Sequence, residues 1–263
     1  MKEIIAALMI AAIAAAQPAG RFGKLTVIGD SIASGYGLED YVSGNDYSAP
    51  LSFANLLGAE ASEYENFAVD GKRSDELLEL VSAPDAGLKK SLENADEVII
   101  SIGGNDILKP MFNAVKVSAL TDTKIIRAIL NHNFTPDMIT EYSNRILEAA
   151  LSAAETVDMN KTAENIRSMV ERIEQINPDT QIILLTIYNP FAGNALMKAA
   201  SDVAEQQLSR LNSSIAALKS DKVKIIDVHD AFKGHEAEFT NINKLDIHPS
   251  AEGHQKIYEL LTE

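Results

Sequence analysis

Lys24-Leu25-Thr26-Val27-Ile28-Gly29-Asp30-Ser31 is an apolar run that ends on a glycine, a carboxylate and a hydroxyl. The run reads as a first β-strand, the glycine as a sharp turn and the aspartate as a helix-start residue. A serine placed there stands at the carboxyl end of a strand, which is where open α/β sheets put their active sites. Working outward, further strand-like runs lie at residues 63–68, 97–102, 181–188 and 223–228. Those at 97–102, 181–188 and 223–228 are rich in Ile, Val and Leu, as parallel strands buried on both faces are. Helical periodicity fills the intervals at 51–59, 74–81, 162–176, 194–218 and 250–261. Strand–helix alternation predicts an α/β fold, a parallel sheet with helices on both faces.

The interval between Asp106 and Gln181 is too long for a single crossover helix. Amphipathic patterns at 121–130 and 136–156 predict a helical insertion over about 107–160, after the third strand. Thr135-Pro136 starts the second of these, with Thr as cap and Pro in the first turn. Two readings of the insertion are open: a lid over the active-site face, or a patch on the flank of the sheet.

The chain has 263 residues, enough for one substantial domain. Lys and Arg total 23 against 38 Asp and Glu, a formal net charge of −15 that repels phosphate backbones, so no nucleic-acid partner is expected. The absence of Cys removes disulfides, thiolate metal sites and a cysteine nucleophile together. Residues 4–16 form an apolar run after Lys2-Glu3 and end in Ala14-Ala15-Ala16, which reads as a signal peptide over 1–16 with a single domain over 17–263. That reading makes the protein secreted or retained at the cell surface, with no stable membrane span in the mature chain.

Four short segments fall at strand ends or in loops on one side of the predicted sheet. They are Gly29-Asp30-Ser31, Asn66-Phe67-Ala68-Val69-Asp70-Gly71, Gly103-Gly104-Asn105-Asp106 and Asp246-Ile247-His248-Pro249. Acyl transfer through serine needs a nucleophile, a base, a group that orients the base and donors for the oxyanion. The four segments supply one residue type for each task. Gly103-Gly104 permit a tight turn that would aim the neutral Asn105 amide back at Ser31. Asp30, Asp70 and Asp106 are expected to accept backbone amides in their own loops. Gly35-Tyr36-Gly37 reads as a loop shaping the substrate side of the site. Neither acid nor His spacing suits a metal, and no cofactor is expected.

In this order the set GDS, G, GGND and HP resembles the SGNH/GDSL hydrolase superfamily of esterases and lipases, over Gly29 to Pro249. The resemblance implies a three-layer α/β/α sandwich with a five-stranded parallel sheet in flavodoxin-like order. It implies Ser31 as nucleophile, His248 as general base, and an oxyanion hole from the Ser31 N–H, the Gly71 N–H and the Asn105 side chain. Asp30 matches the motif without a catalytic role. That pattern usually sets the orienting acid three residues before the histidine, where this chain has Leu245; the nearest acid is Asp246, two before. An offset of two in an extended loop puts both side chains on one side, so Asp246 can reach the His248 ring; the alternative is a Ser–His dyad helped by a backbone carbonyl. The expected substrates are carboxylic esters, either short acyl or acetyl groups on carbohydrate or lipid and lysophospholipid esters. A non-catalytic carbohydrate- or lipid-binding module and an acyltransferase to sugar hydroxyls are the alternatives.

Overall fold

The computed structural model describes residues 21–43, 49–121, 135–194 and 197–263. The apolar leader at 1–16 and the expected helix at 121–130, apart from Thr121, lie outside the described residues. Five strands, β1 (Phe22–Gly29), β2 (Ala61–Asn66), β3 (Glu97–Ser101), β4 (Gln181–Leu185) and β5 (Val223–Ile226), form one sheet. All neighbours are parallel, in the order β2-β1-β3-β4-β5. This is the flavodoxin-like order, and its switch point lies between β1 and β3.

Helices cover both faces: α1 (Ser31–Ser34), α2 (Phe53–Gly58), α3 (Ser74–Ser82), α4 (Ala86–Asn94), α5 (Gly104–Thr121), α6 (Pro136–Glu155), α7 (Met159–Ile176), α8 (Lys198–Ala216), α9 (Val228–Phe232), α10 (Glu236–Phe239) and α11 (Ala251–Thr262). Alternate residues of each central strand feed opposite cores. Ile28, Val98, Ile100, Ile182 and Leu184 face Leu77, Leu88, Ile166, Met169 and Leu211 of the larger helical layer. Leu25, Val27, Ile99, Ile183 and Leu185 face Phe53, Leu57, Phe232, Ile257 and Leu261. At about 25 cal/mol per Å² of apolar surface, these two buried layers are the main force holding the sheet between them.

Several ends differ from the sequence expectation, each for a local reason. The fourth strand stops at Leu185 instead of running to 188, because Asn212 of α8 takes over the Ile187 backbone: its Oδ1 accepts the Ile187 N–H at 2.9 Å and its Nδ2 donates to the Ile187 carbonyl at 2.9 Å. The fifth strand stops at Ile226 because Asp227 caps α9 by accepting the Asp230 N–H at 3.0 Å. Asn105 sits in the first turn of α5, which begins at Gly104, and not in a free turn. Helix α4, which no helical pattern in the sequence announces, is capped by Asp85 accepting from Leu88 N. In the insertion, Ile107 and Met111 of α5 and Ala150 and Ala154 of α6 join the larger core, so these helices belong to the helical layer while the first turns of α5 border the site. Among the described residues, no helix is long and apolar enough to cross a membrane.

Candidate active site

Register brings the carboxyl ends of β1 and β3 level, with Gly29 opposite Ser101. The Asp30 N–H then donates to the Ser101 carbonyl at 3.1 Å. Gly29 is required by this approach, since a Cβ on it would lie 2.3 Å from that carbonyl oxygen. The chain enters α1 at once, with Asp30 as its cap accepting from Ile32 N at 3.0 Å. Ser31 is thereby held at the switch point, 7 % exposed.

His248 reaches it from the loop before α11. Its Nε2 lies 3.0 Å from Ser31 Oγ, across 217 residues of sequence. Its Nδ1 lies 2.6 Å from Asp246 Oδ1, and the same carboxylate oxygen accepts the His248 backbone N–H at 3.1 Å. The loop is therefore a tight Asx-type turn, where an extended segment was expected. It follows a short 3₁₀ turn (Ile242–Lys244) that ends on Leu245 in the left-handed region at φ 60°, with the Asp246 N–H donating to the Asn241 carbonyl at 3.2 Å. This reversal at Leu245 brings Asp246 to the Nδ1 edge of the ring although it stands only two residues away.

The other sequence-predicted groups are tied to the Gly29-Asp30-Ser31 turn. Val69 N donates to the Gly29 carbonyl at 3.0 Å, which ties the loop carrying Gly71 to the end of β1. The N–H groups of Ser31 and Gly71 have no hydrogen-bond partner among the described residues. Asn105 Nδ2 donates to the Lys72 carbonyl at 3.1 Å and to Asp30 Oδ2 at 3.3 Å, so the structure places its amide beside the Gly71 loop and Asp30. Of the three acidic loop residues, only Asp30 accepts an amide of its own turn. Asp106 accepts the N–H and hydroxyl of Ser74 at 2.9 and 2.6 Å, binding α5 to the start of α3. Asp70 accepts the hydroxyls of Ser34, at 2.6 Å, and Tyr41. These partners lie dozens of residues away, and no local pattern in the chain announces them.

The remaining described histidines have other partners. His229 pairs with Glu205 and His235 with Glu238. His254 is fully buried on α11, its Nδ1 accepting the Phe53 N–H at 3.3 Å. His132 lies outside the described residues.

A narrow cavity of about 40 Å³ opens beside Ser31 and His248. Ile107 and Leu108 of α5, Ile187 and Phe191 of the loop after β4, Leu208 of α8 and Ile247 line it. No local pattern in the sequence marks this apolar wall, because its members come from four separate segments and each looks like ordinary core.

Burial moves two groups in opposite senses. It raises the Asp30 carboxyl from 3.8 to about 7, helped by the nearby Asp106 charge and opposed by the bonds from Ile32 and Asn105. It lowers the His254 imidazole from 6.5 to about 3, with His248 adding to the drop. Between pH 3.8 and 6.5 the folded chain thus holds about one proton more than the unfolded chain at Asp30 and one fewer at His254. Acidification strengthens folding through the first and weakens it through the second. Removing the titrating ring in His254→Asn is expected to leave the Asp30 slope unopposed. Relative to wild type, the variant should gain on the order of 1 kcal/mol per pH unit on acidification through this window, read from urea unfolding at fixed ionic strength. An identical pH dependence in both proteins would show that His254 is not held neutral.

A doubly wound parallel sheet with Ser31, His248 and Asp246 gathered at its carboxyl edge has the architecture of a three-layer α/β hydrolase. The sequence profile of the GDSL-like lipase/acylhydrolase family matches residues 27–256, and the chain belongs to that family: it is a carboxylic ester hydrolase. The spore germination lipase LipC of Bacillus licheniformis is similar, 26% identical over 243 residues that cover 90% of this chain and 94% of that one. Among solved structures, phospholipase A1 from Streptomyces albidoflavus shares the fold with a TM-score of 0.61 and 20% identity, over 93% of this chain and 99% of that one. A catalytic mutant of the acetylxylan esterase Axe2 from Geobacillus stearothermophilus superposes with a TM-score of 0.52 and 14% identity, over 94% of each chain.

Proposed function

We propose that the chain is a serine esterase working through an acyl-enzyme on Ser31. The observation that carries this is the continuous line Ser31 Oγ, His248 Nε2, His248 Nδ1, Asp246 Oδ1, with links of 3.0 and 2.6 Å. Ser31 Oγ attacks the ester carbonyl carbon while His248 Nε2 takes its proton, and Asp246 holds the Nδ1–H and balances the imidazolium charge. The carbonyl oxygen, now an oxyanion, is received by the Ser31 N–H, the Gly71 N–H and Asn105 Nδ2. In the free site the Asn105 amide donates to both the Lys72 carbonyl and Asp30, and it exchanges the longer bond, to Asp30 at 3.3 Å, for the oxyanion. Collapse breaks the C–O bond to the alcohol, which leaves with the proton from His248. Water then attacks the acyl-enzyme, again with His248 as base, and releases the acid.

The wall of the cavity supports a substrate whose acyl group is apolar and short. At about 40 Å³ the cavity is small, and it suits an acyl chain of a few carbons better than a long one. Among p-nitrophenyl esters the optimum is therefore expected near butyrate, above both acetate and palmitate in kcat/KM. Leu208→Ala, which deepens the wall, should move the optimum to longer chains through a lower KM. A sharp acetate optimum, unchanged in the variant, would remove the acyl assignment. The alcohol part of the ester lies outside this cavity, and the sequence reading of residues 1–16 as an export signal would place the reaction outside the cytoplasm.

The class itself is tested with a fluorophosphonate probe followed by peptide mass mapping. A single adduct on Ser31 is the expected result. A protein that hydrolyses esters yet carries no adduct there would sink the acyl-enzyme reading.

A further inference from the structure

Two hydrogen bonds fix the His248 ring, one at each nitrogen. Bonds of this kind leave the ring able to tilt about the line joining the two nitrogens. Something must bear on the face of the imidazole if Nε2 is to keep its lone pair on Ser31 Oγ. The structure supplies it from the segment Gly35-Tyr36-Gly37. The Tyr36 ring lies against the His248 ring, centroids 4.6 Å apart at an interplanar angle of 46°.

Tyr36 is itself held. Its N–H donates to the Ser31 carbonyl at 3.0 Å, so its place is tied to that of the serine. Its ring rests on Tyr41, centroids 5.2 Å apart. Tyr41 in turn donates its phenol to Asp70, which also accepts Ser34 Oγ, one turn after Ser31. The chain then passes close under the catalytic loop: at Gly37, φ 91°, a Cβ would lie 3.1 Å from both Asp246 Oδ2 and His248 Cβ. The positive φ and this close approach favour glycine there.

We propose that Tyr36 is a positioning residue for His248: braced by Tyr41, its ring sets the tilt of the imidazole and its electron-rich face stabilises the imidazolium formed when Ser31 loses its proton. The proposal rests on the serine-esterase reading of the site. It assigns Gly35-Tyr36-Gly37 to the catalytic base, where the sequence suggested a loop shaping the substrate.

The test compares wild type, Tyr36→Phe and Tyr36→Leu on p-nitrophenyl butyrate, with fluorophosphonate labelling rates and thermal unfolding recorded on the same proteins. Tyr36 is 43% exposed, so truncation opens no sealed cavity and the fold is expected to persist. Tyr36→Leu should lower kcat on the order of tenfold, with KM within about twofold of wild type and Ser31 labelled more slowly by a similar factor. Tyr36→Phe keeps the ring and should stay within about twofold of wild type in all three readouts. Wild-type kcat in Tyr36→Leu would overturn the proposal. So would a raised KM at unchanged kcat, which marks a substrate contact, or a Phe variant as impaired as the Leu one, which puts the weight on the phenol oxygen. If wild type itself takes no label on Ser31, the esterase mechanism fails first, and this role falls with it.

Discussion

Ser31→Ala is expected to lower turnover of p-nitrophenyl butyrate by about 10⁶-fold, to the level that bound substrate and oxyanion donors sustain without a nucleophile. The size of the effect follows from the chemistry: without Oγ there is no acyl-enzyme, and His248 has nothing to deprotonate except water in a site not shaped to aim it. His248→Ala should cost a similar amount, and the double variant little more than either single one, because the two act as one unit. Steady-state rates of all three proteins at equal active-site concentration decide it. Wild-type-like turnover in Ser31→Ala would sink the mechanism outright. Circular dichroism and unfolding should change little, since Ser31 Oγ contributes only the contact to His248 among the described residues.

Asp246→Asn should cost about 10⁴-fold in kcat, less than loss of the nucleophile or of the base. In the native site one carboxylate oxygen accepts both the ring Nδ1–H and the backbone N–H of His248. An amide in its place removes the charge that balances the imidazolium. When its NH₂ faces the ring, it also selects the tautomer with the proton on Nε2, which cannot take one from Ser31. Fluorophosphonate labelling of Ser31 should slow in parallel with turnover. Undiminished turnover in Asp246→Asn would remove Asp246 from the mechanism and leave a Ser–His pair. This variant discriminates the two readings left open by the unusual acid spacing.

Much of this site could be read from residue order, because the strands that carry it announce themselves. Val98, Ile99 and Ile100 are all buried, and so are Ile182, Ile183 and Leu184, as continuous apolar runs require. The sequence says less where local pattern and tertiary role part company. Strand β2 is Ala-Ser-Glu-Tyr-Glu-Asn, a polar sequence that pairs only because β1 offers it an edge. Helix α4 carries glycine and asparagine and buries only Leu88 and Leu92, too little for a periodic signal. Asn105 looked like a turn residue after two glycines, and it is instead a first-turn helical residue whose amide is held by Asp30 and Lys72.

The sequence by itself determined the α/β alternation and the four segments that bear the candidate catalytic groups, because strand periodicity and turn chemistry are local properties of a few adjacent residues. Only the tertiary structure decided how those groups meet. The 2.6 Å contact of Asp246 depends on the left-handed turn at Leu245, and the apolar cavity on side chains from four segments. The Tyr36 ring meets His248 across 212 residues of chain. The reason is physical: hydrogen bonds and ring contacts act over a few ångströms in space, and their partners here are joined through the packed sheet, not through neighbouring positions in the chain.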